Sequence, residues 1–562
     1  MQTWPERGGG SLGRVAAWVE RHPGCLGLGL AVLYWSAVIK RAETRPLWHD
    51  ELFTFYIAQS TTLARMWQAI RTVDLNPPLS YLLVRAVFHV VKPRPFTCRI
   101  PSMLAFLLGS AALFVFLKRK TTVIYAALGV LLLWNSRFFE FATEARPYAL
   151  MFAFTTIMLL GWQRAIKDER RGIGLFILAF GGFGLMLSHV FGVCVLSAFW
   201  LVEAVRCYLR RKPDWALCAC LLLPLMSCVT FMPKIHNQSV TLFPPQWQPS
   251  VERTALIYQD QVQATFPVLL TIMLLAALWP RKPSAREFPL SIPESVLLMS
   301  LLLIPVEISL LLARSHGALF ERYGIVAMIP FAVLPVLSLA WSSRCNPVAC
   351  ILLAASLIPS LYVPLRVIAI EELPTILSPR QTAQVVRWAF PLPMMDRPTR
   401  NLDTSYGRSD SEPPVQLQGG LGDLHPKLPI VAASALTFLE MDNREPDGVV
   451  KRLYYLTDPE ASARISHATL FESYGNLKRV FPIRGTIEPY QDFVRVNPKF
   501  LVVGTYGYPE DWLLQKLQAD GATARHAWQL QLSYKDRELY EISMPPQSPA
   551  LHHRVVAIGT PY

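Results

Sequence analysis

Charge is scarce in this sequence, and what there is sits in clusters. Only 17% of the 562 residues are Asp, Glu, Lys or Arg, while 52% are apolar, and the mean hydropathy is +0.30. That balance excludes an ordinary soluble domain of this size and points to a polytopic membrane protein. A basic stripe with interleaved aromatics is also missing, and so is any zinc-ligand spacing. The net charge of +14 therefore carries no nucleic-acid reading, because Lys and Arg fall largely in short loops between apolar segments. Cysteine stops at Cys350. The nine thiols lie mostly in apolar runs, Cys218 and Cys220 are not spaced as a metal pair, and the long C-terminal region has no disulfide framework. Nearly all read as small buried apolar residues. The first apolar run, GCLGLGLAVLYWSAVI, lacks a small-x-small cleavage site and reads as a retained anchor.

Apolar segments long enough to cross a bilayer fall near 22–40, 100–117, 121–138, 147–163, 173–188, 190–206, 215–232, 262–280, 292–313, 324–341 and 347–366, about eleven in all. The loops KRK (118–120), RAIKDERR (164–171), RCYLRRK (206–212) and RKPSAR (281–286) are basic. They share one side if the N-terminus is cytoplasmic. The stretch 41–99 then lies outside the cytoplasm. Its run NPPLSYLLVRAVFHVVK is interrupted by Arg85 and His89 and predicts an interfacial amphipathic helix, with Pro77 and Pro78 at its start. Past about residue 370 the spans end. A linker or mobile loop is expected over 371–424, then a small extracytoplasmic α/β domain over 425–562. There LPIVAASALTFLE, RLYYLTD, FLVVGTYG, WLLQKLQADGA and ELYEISM alternate strand and helix patterns.

With that topology, ionisable residues from distant segments converge on the outer face. Asp50 and Glu51 sit in RPLWHDELFTFYIAQ, directly after the first segment. Glu140, Glu144 and Arg146 lie in RFFEFATEARPYAL, His189 in LSHVFG, and Glu321, Arg322 and Tyr323 in FERYG. Any one of them alone reads as an interfacial anchor or a snorkelling charge. Asp50 fits that reading least, because its side chain is short and Trp48 and Phe53 flank it. Asp50 is the candidate general base. Glu51 points about 100° away on a helix and suits an orienting role or a pairing with Arg146 or Arg322. Guanidinium matches phosphate bidentately, which makes Arg146 and Arg322 candidates for a phosphate. Lys234 and His236 are weaker candidates. A divalent metal is conceivable among Asp, Glu and His, with no fixed ligand spacing.

The motifs WHDELFTFYIAQ, NPPLSYLLV, RIPSMLAFLLG, EARPYAL and FERYGIVAMIP occur in order across roughly 45–335. In that order they resemble the GT-C glycosyltransferases, closest to the bacterial protein-mannosyltransferase-like and aminoarabinose-transferase-like groups. The resemblance implies a GT-C-type α-helical catalytic domain over 1–370 in the bacterial inner membrane. It also implies a polyprenyl-phosphate-linked sugar donor, an acceptor hydroxyl on a glycan, lipid or protein, and inversion at the anomeric carbon. Asp50, Glu51 and Glu144 become the catalytic candidates. His49, Asn76, Arg146, Tyr148, His189, Arg322 and Tyr323 become the candidates for holding the donor. Asn76 stands where the family often has His before the paired prolines. Members of the superfamily differ in metal use. The competing classes are a transporter, for which Glu307 inside a span is the one favourable residue, and a scaffold or sensor working through its C-terminal domain.

Overall fold

The computed structural model describes residues 11–357 and 427–546, apart from 75, 168–169, 231–240, 264–265, 279–287, 356 and 533–534. The expected linker, Lys234 and His236 fall outside the described residues. The chain divides into two units, Met1–Arg397 and Pro398–Tyr562.

The first unit is helical. Its leading helices are α1 (Ser11–Arg21), α2 (Pro23–Thr44), α3 (His49–Ala58), α4 (Leu63–Val73), α5 (Leu79–Val90), α6 (Pro95–Lys118), α7 (Val123–Trp134), α8 (Tyr148–Ile166), α9 (Arg171–Ser188), α10 (Gly192–Arg210) and α11 (Trp215–Leu222). Helices Val251–Gln263, Phe266–Leu278, Ile292–Ser315 and Met328–Ser342 follow. Among the described residues, seven are long and apolar enough to cross a membrane: α2, α6, α8, α9, α10, Ile292–Ser315 and the Glu321–Ser342 segment.

Counting the bent pair α7 and Arg137–Thr143 as one span gives up to eight, and the other expected segments are short helices or fall partly outside the described residues. The segment expected over 121–138 breaks after Trp134, where the chain turns by 82° into a 3-10 helix, Arg137–Thr143. The amide of Asn135 donates to the Leu131 carbonyl and the hydroxyl of Ser136 to the Leu133 carbonyl, closing α7 with local side-chain bonds. Arg137 then lies in the turn rather than in a span, and Glu140 follows it in the same 3-10 helix. The segment expected over 215–232 is a short α-helix followed by a 3-10 helix, Leu223–Thr230. Phe266–Leu278 has only 13 residues, and most of the 347–366 candidate lies outside the described residues. The predicted interfacial helix is α5. Its 12 residues rise about 18 Å, too little to span.

The packing follows from small residues at crossings. Side chains built at Gly161 and Gly174 would meet the Leu178 and Ala165 backbone nitrogens at 2.6 Å. These glycines let α8 and α9 approach closely, as membrane helices do when no hydrophobic force drives them together. Tyr34 donates to the Met103 carbonyl at 2.6 Å, tying α2 to α6.

The second unit carries a six-stranded sheet in the order β3-β2-β1-β4-β6-β5. The strands are β1 (Ile430–Ala432), β2 (Leu453–Thr457), β3 (Thr486–Pro489), β4 (Lys499–Gly504), β5 (Thr523–Leu532) and β6 (Lys535–Ser543). β3, β2, β1 and β4 run parallel, while β6 pairs antiparallel with both β4 and β5. Ser434 and Asp458 cap the helices that follow β1 and β2. The α/β alternation in the sequence is thus present in the structure, with an antiparallel pair closing one side of the parallel strands.

Candidate active site

Helix α3 opens directly after the extended Pro46–Trp48 segment, and its first turn carries both Asp50 and Glu51. Carboxylates at a helix N-terminus are stabilised by its exposed N–H groups. The helical offset between neighbours then sends the two side chains to different partners.

Glu51 is fully buried and bound on all sides. Arg99 donates to it through Nε (2.8 Å) and Nη2 (2.7 Å), the Ala145 N–H donates at 2.8 Å, and Arg45 reaches it at 3.3 Å. Arg99 also donates to the Ala42, Arg45 and Pro46 carbonyls. One ion pair therefore ties together the end of α2, the start of α3, α6 and the loop before α8. Burial alone would push the Glu51 carboxyl up; Arg99, and then Arg45, hold it below the usual range. The partners expected for Glu51 were Arg146 and Arg322, and the structure corrects this to Arg99 and Arg45. Both Glu51 oxygens are thus engaged within the fold.

Asp50 faces elsewhere. Its Oδ2 lies 3.2 Å from Arg322 Nη1 with both side chains partly exposed, at 16% and 20%. His49 Nε2 is 3.7 Å from Oδ1. Arg146 donates to the Asp50 carbonyl at 3.1 Å. Burial alone would raise the Asp50 carboxyl; Arg322, Arg146 and His49 outweigh it and keep the carboxyl below the usual range.

Arg146 is anchored from the far side by Asp74, at 2.8 Å. Asp74 also accepts from the backbone and the side-chain amide of Asn76, and Tyr81 lies against it. Asp74 was missed in the sequence, where D-L-N-P-P reads as turn chemistry; only its place two residues before Asn76 hinted at more. Asn76 here orients Asp74, which in turn fixes Arg146.

Arg322 sits in the 3-10 turn Glu321–Ala327, leading into Met328–Ser342. The loop before it is held by Leu319 N–H donating to the Trp247 carbonyl and by Arg253 donating to the Leu319 carbonyl. Its guanidinium lies 4.3 Å from the Phe320 ring centre, 5.6 Å from Trp48 and 5.9 Å from Tyr148. Such aromatic faces stabilise a desolvated cation. His189 lies tilted against Tyr148 and edge-on to Tyr323, with ring centres 5.5 and 5.8 Å away. Burial, then Arg146 and Arg322, push its pKa down to about 3, so it is neutral. Its Nδ1 accepts from the Phe191 N–H, which leaves the proton on Nε2.

Glu144 is buried beside Arg45, at 3.8 Å, and its Oε2 has no hydrogen-bond partner. Burial pushes its pKa up to about 8, with Glu51 and Glu140 adding and Arg45 opposing. From the ordinary 4.5 to about 8 the folded chain holds a proton that the unfolded chain has lost. Glu144 therefore contributes stability that is complete below pH 4.5 and is lost as pH rises through about 8. Glu144→Gln removes this dependence. In thermal unfolding its melting temperature should gain on wild type over that window and hold a constant lead above it. Parallel curves would show that Glu144 does not titrate there.

Asp50, Arg146, Tyr148, His189, Arg322 and Tyr323 thus come together with His49 and Asn76. Glu140 pairs instead with Arg41 and Arg137. Glu307 accepts from the Ser197 hydroxyl. Among the described residues, the only clustered His, Cys, Asp or Glu ligand atoms within reach of one metal ion are those of Glu203, Cys207 and Cys218, away from Asp50.

Residues 75–231 match the model of the dolichyl-phosphate-mannose-protein mannosyltransferase family. No curated protein matches the chain. Two solved structures of ArnT from Cupriavidus metallidurans align with it at 13% identity, one in the apo state and one bound to undecaprenyl phosphate. Their TM-scores are 0.48 and 0.45, covering 94% and 95% of this chain and 98% of theirs. Over residues 75–231 the chain is thus similar to the dolichyl-phosphate-mannose-protein mannosyltransferase family.

Proposed function

We propose that the chain is an inverting membrane glycosyltransferase that moves a sugar from a polyprenyl-phosphate donor to an acceptor hydroxyl. The observation that carries this reading is one carboxylate set between two arginines and walled by aromatics. Asp50 contacts Arg322 by its side chain and Arg146 by its carbonyl, with Trp48, Phe320 and Tyr148 around Arg322. A donor that is half lipid needs apolar walls, and its phosphate needs cations.

The donor phosphate competes with Asp50 for Arg322 and Arg146. Once the phosphate takes the guanidinium groups, Asp50 loses the charges that hold its pKa down and becomes the stronger base. It then accepts the proton of the acceptor hydroxyl as that oxygen attacks the anomeric carbon. The carbon–oxygen bond to phosphate breaks on the opposite face, the electron pair stays on the departing phosphate oxygen, and the arginines balance its charge. Phosphate is a good leaving group, so one carboxylate suffices, whereas a glycosidase uses two. Glu51 and Asp74 act as positioning residues, through Arg99 and Arg146.

The test is transfer from a panel of polyprenyl-phosphate sugars by the protein in lipid nanodiscs. Turnover of one donor is expected. Failure to turn over or bind any donor overturns the reading. Arg322→Lys keeps the charge but loses the fork. Losing one charge-assisted hydrogen bond to phosphate should raise the donor KM by about 10–100-fold, with kcat changed less. An unchanged KM would place the phosphate elsewhere.

A further inference from the structure

α10 starts beside the candidate active site, at Gly192, and ends at Arg210. At about 1.5 Å per residue, Glu203 lies about 17 Å and Cys207 about 22 Å further along the helix axis. Glu203 and Cys207 are four residues apart on one helical face. Cys218 joins them from α11, across a turn capped by Asp214. The carboxylate and two thiol ligand atoms all lie within 4.8 Å of one another. The Cys207 thiol already donates to Glu203 Oε1 at 3.3 Å.

We propose that Glu203, Cys207 and Cys218 bind a divalent cation of the zinc class. Two sulfurs and one carboxylate oxygen are the donor set that such an ion takes, and three protein ligands leave one tetrahedral position for water. On binding, both thiols release their protons to bulk water and the sulfurs bind as thiolates. Arg206 completes the argument. It donates to Glu203 through Nε at 2.8 Å and Nη2 at 2.7 Å, and it also pairs with Asp214. Two thiolates and a carboxylate around a dication carry one net negative charge, which the Arg206 guanidinium offsets. Carboxylate ligands in metal sites are commonly oriented by such a neighbour. Glu203 is buried, while Cys207 and Cys218 are half-buried and offer the ion a way in. The spacing Cys207-x10-Cys218 matches no familiar zinc motif, which is why only the fold reveals the group. Bound metal would fasten the end of α10 to α11, remote from Asp50.

The experiment uses the full chain in nanodiscs, reduced and stripped with chelator, then titrated with Zn²⁺ alone and desalted before metal counting. Wild type should retain about one equivalent more than Cys207→Ser/Cys218→Ser, whose affinity should fall by more than about 10–100-fold. Equal zinc in both, or none in either, overturns the site. Cobalt(II) added to wild type supplies a readout that needs no variant. A thiolate-to-cobalt charge-transfer band supports the two-sulfur site, and its absence refutes it even if the double variant fails to fold.

Discussion

Asp50→Asn lowers sugar transfer by about 10²–10⁴ while the protein stays folded. The substitution keeps the shape and removes only the proton acceptor. Folding should survive, because the Asn side chain fills the same space and its amide oxygen still accepts from Arg322. Arg322 also keeps its three aromatic faces. The pH profile separates this role from mere binding. In the free protein the Asp50 carboxyl lies below the usual range, held there by Arg322, Arg146 and His49 against burial. The acid limb of kcat/KM, which reports the free protein, should therefore fall at low pH. The acid limb of kcat reports the donor complex, where phosphate occupies the arginines, and should lie at higher pH. Coincident limbs would mean that phosphate does not displace Asp50 from Arg322. Transfer that survives in Asp50→Asn, checked on protein of unchanged melting temperature, would move the base to Glu144.

What could be read from the sequence was whatever depends on local pattern. The α5 helix follows from its paired prolines and apolar run, and the strands of the C-terminal unit from their alternation. Asp50 stood out because a short carboxylate among aromatics has few bland explanations. Pairings across sequence distance could not be read. Arg99 sits in the first turns of α6, inside the RIPS motif, with no local sequence signal for its partner. Only the fold shows it buried against Glu51, 48 positions away. Asp74 was hidden by its turn context. The break after Trp134 was missed for another reason: apolar residues resume at Phe138 and Phe139, and apolar content alone does not show an 82° turn. The convergence of Asp50, Arg146 and Arg322 was expected from topology alone, yet the order of contacts, with Asp74 behind Arg146, arises only in the fold.

The second large effect concerns stability rather than chemistry. Glu51→Ala should destabilise the protein by about 3–5 kcal/mol, because it leaves Arg99 as an uncompensated buried charge. Both side chains are fully shielded from solvent, so water cannot take over for the missing carboxylate. The loss should spread. Arg99 also holds the carbonyls of Ala42, Arg45 and Pro46, and Glu51 holds the Ala145 N–H. Loosening the pair therefore frees both the entry to α3, which carries Asp50, and the segment that carries Arg146. Transfer activity should fall as well, for positional reasons. Unlike Asp50→Asn, this variant should lose melting temperature and activity together. A double-mutant cycle makes the distinction sharp. Glu51→Leu and Arg99→Met each strand the other partner's charge, so the double variant should cost less than the sum of the two single variants. A Glu51→Ala protein of unchanged melting temperature that has lost only kcat would overturn the structural assignment and return Glu51 to the reacting groups.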